Sequence, residues 1–136
     1  MTVILVSIEG DEFELAGEAI DAFENFRDKA DENKDTMIIE LGDASTEAVQ
    51  RIAKLLETVA MNYVPYIMES EATFSGMKDE DRKEVMRYFG ATFKWDSIDF
   101  IHEMKHVVHY LGCSPLKILF RLIIDERKKK YGKKLF

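Results

Sequence analysis

The feature that most constrains this chain is an almost wholly apolar segment near its C-terminus, where seven of the nine residues in 116–124 are apolar. Ser114 is placed as an N-cap and Pro115 as the first helical residue, so the pattern predicts a long helix over 116–130. Such a helix is apolar around most of its circumference, and a small domain has little with which to cover it. We therefore expect an exposed apolar patch that binds a partner, with a fully buried central helix as the alternative.

A second helix is predicted over 97–111, because its apolar residues recur at helical spacing and Gly112 follows as a C-terminal cap. His102, His106 and His109 lie on one face of this helix, next to Glu103. This face has three interpretations: a metal site, a solvated polar stripe, or a partner-binding surface whose affinity varies around pH ~6.5. A metal site would also need a ligand from another segment and supporting hydrogen bonds. We favour the partner surface and expect no metal.

The N-terminal half is predicted to mix strands and helices. A β-branched run in 3–7, a turn at Glu9-Gly10 and polar-apolar alternation in 12–15 indicate an opening β-hairpin. The other elements expected in chain order are one or two short helices in 17–30, a third strand in 37–41, an amphipathic helix in 45–61 with Ser45 as its N-cap, a flexible loop in 66–78 and a short surface helix in 79–89. The predicted fold class is α+β.

Length and composition favour one domain of 136 residues, with 46% hydrophobic and 33% charged residues, which is typical of neither disordered nor membrane proteins. No apolar run approaches the roughly 20 residues of a membrane-spanning helix. The N-terminus lacks the basic region of a secretory signal, and the single cysteine, Cys113, cannot form an internal disulfide. We therefore expect a cytoplasmic or nuclear protein with no membrane partner.

Charge is distributed unevenly along the chain. The tail 127–136 contains six basic residues and no acidic ones, which leaves 13 of the 19 basic residues beside all 26 acidic ones. The rest of the chain thus carries a net charge of −13, against −7 for the whole. Because nucleic acid requires a basic surface, we expect no nucleic-acid partner. The basic tail is interpreted as the solvated end of the last helix, whose final carbonyls it complements.

Common enzyme motifs are missing from the sequence, which has no Gly-rich phosphate loop, nucleophile elbow or zinc-finger spacing. We therefore expect a protein that is not an enzyme and needs no cofactor.

Two short motifs resemble a known family of adaptors. Ser7, Glu9, Gly10 and Phe13 fit the opening of the Skp and elongin C adaptors, which have an apolar strand, a Ser-x-Asp/Glu-Gly turn and then a Phe. The stretch 101–116 resembles the helix, turn and helix near the end of those proteins. It matches them at Glu103, Tyr110, Leu111 and Leu116.

The resemblance implies a BTB/POZ-like fold, a small three-stranded mixed sheet packed against a helical bundle, in a non-enzymatic adaptor of a cullin-RING (SCF-type) ubiquitin ligase. It implies that a cullin N-terminal domain faces His102, His106, His109 and Tyr110. It implies that an F-box or BC-box type receptor helix faces the apolar side of the last helix, at Leu116, Leu119, Phe120, Ile123 and Ile124. The alternative is a BTB protein that engages no cullin and forms a homodimer through the same apolar helix.

Overall fold

A three-stranded mixed sheet with strand order β2-β1-β3 is formed by the N-terminal half of the chain. A computed structural model describes residues 2–29, 33–62, 79–80, 83, 87 and 92–131. Strand β1 (Thr2–Val6) pairs antiparallel with β2 (Glu12–Ala16) and parallel with β3 (Thr36–Glu40). The predicted hairpin and third strand are therefore confirmed.

The hairpin turn after β1 is closed by its own backbone. The Ser7 amide donates to the Asp11 carbonyl at 3.0 Å, and the Gly10 amide donates to the Ser7 carbonyl at 3.0 Å. Gly10 has φ 88°. Glycine adopts this left-handed conformation without the steric cost that a side chain brings, which explains the Glu9-Gly10 turn signal.

Alternation along the strands gives the sheet a buried inner face and an open outer face. Val3, Leu5, Leu15 and Ile39 of the inner face are at most 5% exposed. Ile38 on the outer face is 59% exposed, because adjacent residues of a strand point to opposite sides of the sheet.

Helical segments lie between β2 and β3 and again after β3, in the order that periodicity predicts. A 3-10 helix (Gly17–Ala22) and α1 (Glu24–Arg27) fill the predicted region 17–30. They are followed by α2 (Thr46–Asn62), α3 (Ile98–Leu111) and α4 (Ser114–Tyr131). Helix α2 covers the sheet at β1 and β2, and α3 lies between α2 and α4. The architecture is α+β.

The cap residues of α2 and α4 can be compared with their predictions. The Ser45 hydroxyl accepts from the Ala48 amide at 3.2 Å, so Ser45 is the N-cap of α2, as predicted. Helix α4 begins at Ser114, one residue before the predicted first helical residue Pro115, so the prediction of Ser114 as N-cap is wrong. Its first helical bond runs from the Lys117 amide to the Cys113 carbonyl at 3.0 Å, so Cys113 holds the N-cap position.

The remaining sequence predictions fall partly outside the described residues. The expected loop over 66–78 lies outside them. Within the predicted helix over 79–89, the described positions 79–80, 83 and 87 are helical. In the basic tail, 127–131 forms the end of α4, and 132–136 lies outside the described part.

Candidate functional site

Helix α3 is fixed at its start by a side-chain cap. The Ser97 hydroxyl accepts from the Phe100 amide at 3.1 Å, and Asp99 places a negative charge in the first turn. Five of the periodic apolar residues are buried, namely Ile101, Met104, Val107, Val108 and Leu111, and Ile98 at the start of the helix is half-buried. This burial orients the opposite side of the helix, with its histidines and Tyr110, away from the core.

The end of α3 is closed by a glycine cap that also contacts α1. Gly112 has φ 70°; its amide donates to the His109 carbonyl, and the Cys113 amide donates to the Val108 carbonyl, each at 3.1 Å. The Asn25 side-chain amide adds hydrogen bonds to the carbonyls of His109 at 3.2 Å and Tyr110 at 2.9 Å. A Cβ at Gly112 would lie 2.9 Å from Asn25. Glycine is thus required both by the dihedral angle and by the close contact.

Tyr110 is positioned by an aromatic neighbour but keeps much of its surface open. Its ring centroid is 5.5 Å from that of Phe26, with a tilt of 57° between the planes. Contacts of this geometry favour one ring orientation. The residue is nevertheless 54% exposed, so about half of its surface is accessible to a partner.

A hydrogen-bonded cluster joins the hairpin turn to the start of α2. The Thr46 hydroxyl lies 2.8 Å from Glu9, 2.6 Å from Asp11 and 2.9 Å from the Ser7 hydroxyl. Since it has one proton, it donates to one carboxylate at a time. The Thr46 amide also donates to Glu9 at 2.9 Å, and these bonds, chiefly from the Thr46 side chain, lower the pKa of Glu9.

Glu103 makes the corresponding link from α3. Its carboxylate accepts from the Ser45 amide at 2.9 Å. Glu9 and Glu103 thus both accept from amides at the N-terminus of α2, where negative charge is favourable. Ser7, Glu9 and Glu103 belong to the two motifs identified in the sequence, and in the structure they set the position of the β3–α2 connection relative to α3.

A groove of about 540 Å³ lies between that connection and α3. One wall is residues 40–44, and the other is Glu103, His106, Val107 and Tyr110. We call this the α3 groove. Its lining combines the polar side chains of Glu103 and His106 with apolar surface from Leu41 and Val107 and the ring of Tyr110.

The four sequence-predicted residues of this face are only partly brought together. His106 and Tyr110 line the α3 groove, while His102 is half-buried and His109 is exposed outside the lining. Within the described ranges, no group of three or more His, Cys, Asp or Glu side chains is arranged to hold a metal ion.

Comparison with known proteins gives no family assignment. The chain matches no protein-family model and no curated protein. In the described part of the chain, every helix is too short or too polar to cross a membrane.

The apolar residues predicted to face a receptor lie in the core, so the expectation of an exposed patch on the last helix is wrong. Their exposed fractions range from 0% to 6%, for Leu116, Leu119, Phe120, Ile123 and Ile124. Helix α4 packs against α3, and Phe93 contacts Phe120 edge-on with ring centroids 5.5 Å apart. The Arg127 guanidinium donates to the Phe93 carbonyl. The short stretch before α3 therefore covers part of α4, and the alternative of a buried central helix is the one observed.

The lone cysteine is buried, like the apolar residues of α4. Cys113 is fully buried, and this burial raises the pKa of its thiol to about 11. Because the thiolate is the reactive form, this side chain is unsuited to act as a nucleophile at neutral pH.

Two residues of the site were missed from the sequence. Asn25 and Phe26 support the end of α3 from 84 and more residues away in the chain. Phe26 is one of the apolar residues at helical spacing that predict a short helix in 17–30, but no local pattern indicates that it or Asn25 contacts α3.

Proposed function

We propose that this protein is a non-enzymatic adaptor of a cullin-RING ubiquitin ligase, working in the cytoplasm or nucleus, and that it binds a cullin N-terminal domain at the α3 groove. The observation that carries the proposal is Tyr110, which is half-exposed at the groove although its backbone and ring are both held in place. A rigid, exposed aromatic side chain is typical of the residues that dominate binding energy in protein interfaces.

The positions of the two sequence motifs also support this proposal. Ser7 and Glu9 of the first motif and Glu103 of the second meet at the N-terminus of α2, next to the groove. The mixed three-stranded sheet followed by helices is compatible with a BTB/POZ fold. The family, the cullin and the ligase role come from the resemblance.

The receptor half of the adaptor role needs a different surface from the one expected. Leu119 and Phe120 are fully buried, so a receptor helix would reach them only by displacing the side chains packed on them. That displacement would remove core contacts. The loss in folding free energy would be similar to that of truncating large buried side chains, about 2–5 kcal/mol for each. The proposal therefore assigns F-box or BC-box binding to no residue of this apolar face.

The experiment is a calorimetric titration of the purified protein with cullin N-terminal domains. It measures the Kd for wild type and for Tyr110→Ala. We expect wild type to bind at least one cullin. Tyr110→Ala removes a central aromatic side chain and should weaken cullin binding by about 2 kcal/mol, which raises the Kd roughly thirtyfold.

The matched control is Trp95→Ala, which removes an 88% exposed aromatic side chain before the opposite end of α3. Its affinity should stay within about twofold of wild type. Thermal unfolding of both variants separates lost binding from lost structure. Wild-type protein that binds no cullin would refute the proposal, and a stable dimer in light scattering would then favour the self-associating alternative.

A further inference from the structure

The outer face of the sheet carries an apolar strip that the adaptor proposal does not use. Ile4 lies directly opposite Ile38 on the neighbouring strand, and Val6 follows two residues later on the same face. Ile38 is 59% exposed, while Ile4 and Val6 are half-buried. Isolated exposed apolar residues are common, but these three are adjacent.

Carboxylates border this strip on two sides. Glu14 lies opposite Ile4 and Glu12 opposite Val6 on β2, and Glu40 lies opposite Val6 on β3. All three glutamates are exposed. The outer face is therefore a small apolar surface with a negative border, on a chain whose net charge is already −7.

We propose that this outer face binds a basic amphipathic helix of another protein. The three strands span about 10 Å, because neighbouring strands lie about 4.8 Å apart, and a helix with its side chains is about 10 Å wide. The apolar stripe of such a helix would cover Ile4, Val6 and Ile38, and flanking Lys or Arg side chains would reach Glu12, Glu14 and Glu40. A helix packed on a sheet face is also a common layer arrangement.

Charge argues against a second copy of this chain as the occupant. In a symmetric face-to-face dimer, the three glutamates of each copy would oppose those of the other, and like charges opposite one another disfavour association. A basic partner removes this conflict. Its attraction would also weaken as salt increases, because exposed charges are screened.

The test uses an 18-residue amphipathic peptide made of leucine and lysine, titrated into the ¹⁵N-labelled full chain. The matched peptide has glutamate in place of every lysine. We expect the lysine peptide to shift the amide signals of β1, β2 and β3, and the glutamate peptide to bind at least about tenfold more weakly.

Variants then assign the binding to this face. Glu12→Lys with Glu14→Lys should weaken the lysine peptide about five- to tenfold, whereas Glu18→Lys with Glu57→Lys, which changes net charge equally at exposed positions elsewhere, should change affinity less than about twofold. Ile38→Thr keeps a β-branched residue in the strand and should weaken binding about threefold. Thermal unfolding checks that each variant remains folded.

Four outcomes would overturn the proposal. The first is no binding of the lysine peptide, and the second is equal weakening by the two double charge reversals. The third is a shift map centred on the α3 groove instead of the sheet. A dimer of the free protein that Ile38→Thr dissociates would assign the face to a second copy and would also overturn it.

Discussion

Helices α3 and α4 are neighbours in the chain and in the fold, yet they differ in what they expose. Helix α3 alternates buried apolar residues with an open polar side, on which Tyr110 is 54% exposed. The stretch 116–124 of α4 is apolar at seven of nine positions, and its Leu119 is fully buried. A regular 3.6-residue period predicts which side of a helix meets solvent. A segment that is apolar around most of its circumference, such as 116–124, is instead buried on most sides.

The variant with the largest expected effect on stability is Leu119→Asp, which tests the burial of α4. An uncompensated charge at a fully buried position costs several kcal/mol, comparable with the roughly 5–15 kcal/mol that stabilises a typical domain. We expect the variant to be largely unfolded in circular dichroism at room temperature. Lys129→Asp, an exposed position on the same helix, should cost less than about 1 kcal/mol. Wild-type stability of Leu119→Asp would mean that α4 is not part of the core.

Gly112→Ala tests whether the turn between the helices fixes the end of α3. The left-handed backbone at φ 70° and the 2.9 Å contact with Asn25 should together destabilise the protein by about 2 kcal/mol in denaturant unfolding. The control is Gly42→Ala, because a Cβ at Gly42 meets nothing within 4 Å. Equal effects at the two glycines would show that the cap does not constrain α3.

Glu9→Gln gives the smallest effect and tests the cluster beside the α3 groove. The Thr46 hydrogen bonds lower the pKa of Glu9 from 4.5, so the ionised form is favoured in the folded state. The resulting stability is present above pH 4.5 and is lost as pH falls through the lower, folded-state pKa. Melting temperatures should therefore differ between wild type and Glu9→Gln at about pH 7, and the difference should narrow towards about pH 3. Glu18→Gln, at an exposed carboxylate in the 3-10 helix, is the control. A difference that is independent of pH would contradict this assignment.

The sequence predicted those parts of the fold that depend on local pattern. Alternation located the hairpin, Ser45 located the start of α2, and Gly112 located the end of α3, because each signal acts within a few residues. At the candidate site, helical periodicity correctly predicted that His106 and Tyr110 lie on the exposed side of α3.

The errors come from contacts between distant segments. The cover that Phe93 gives to Phe120 and the support that Asn25 gives to the end of α3 depend on tertiary packing, which no local pattern encodes. The same reason explains the incorrect exposed patch on α4. An apolar side chain favours burial away from water, but the sequence pattern does not show whether the same chain or a partner protein buries that side chain.

The most direct test of cullin binding at the α3 groove is hydrogen-deuterium exchange of the protein with and without a cullin N-terminal domain that binds it. If the cullin binds at the α3 groove, residues 40–44 and 103–110 gain protection and residues 116–124 of α4 gain none. Added protection confined to 116–124, with the groove unchanged, would contradict binding at the α3 groove.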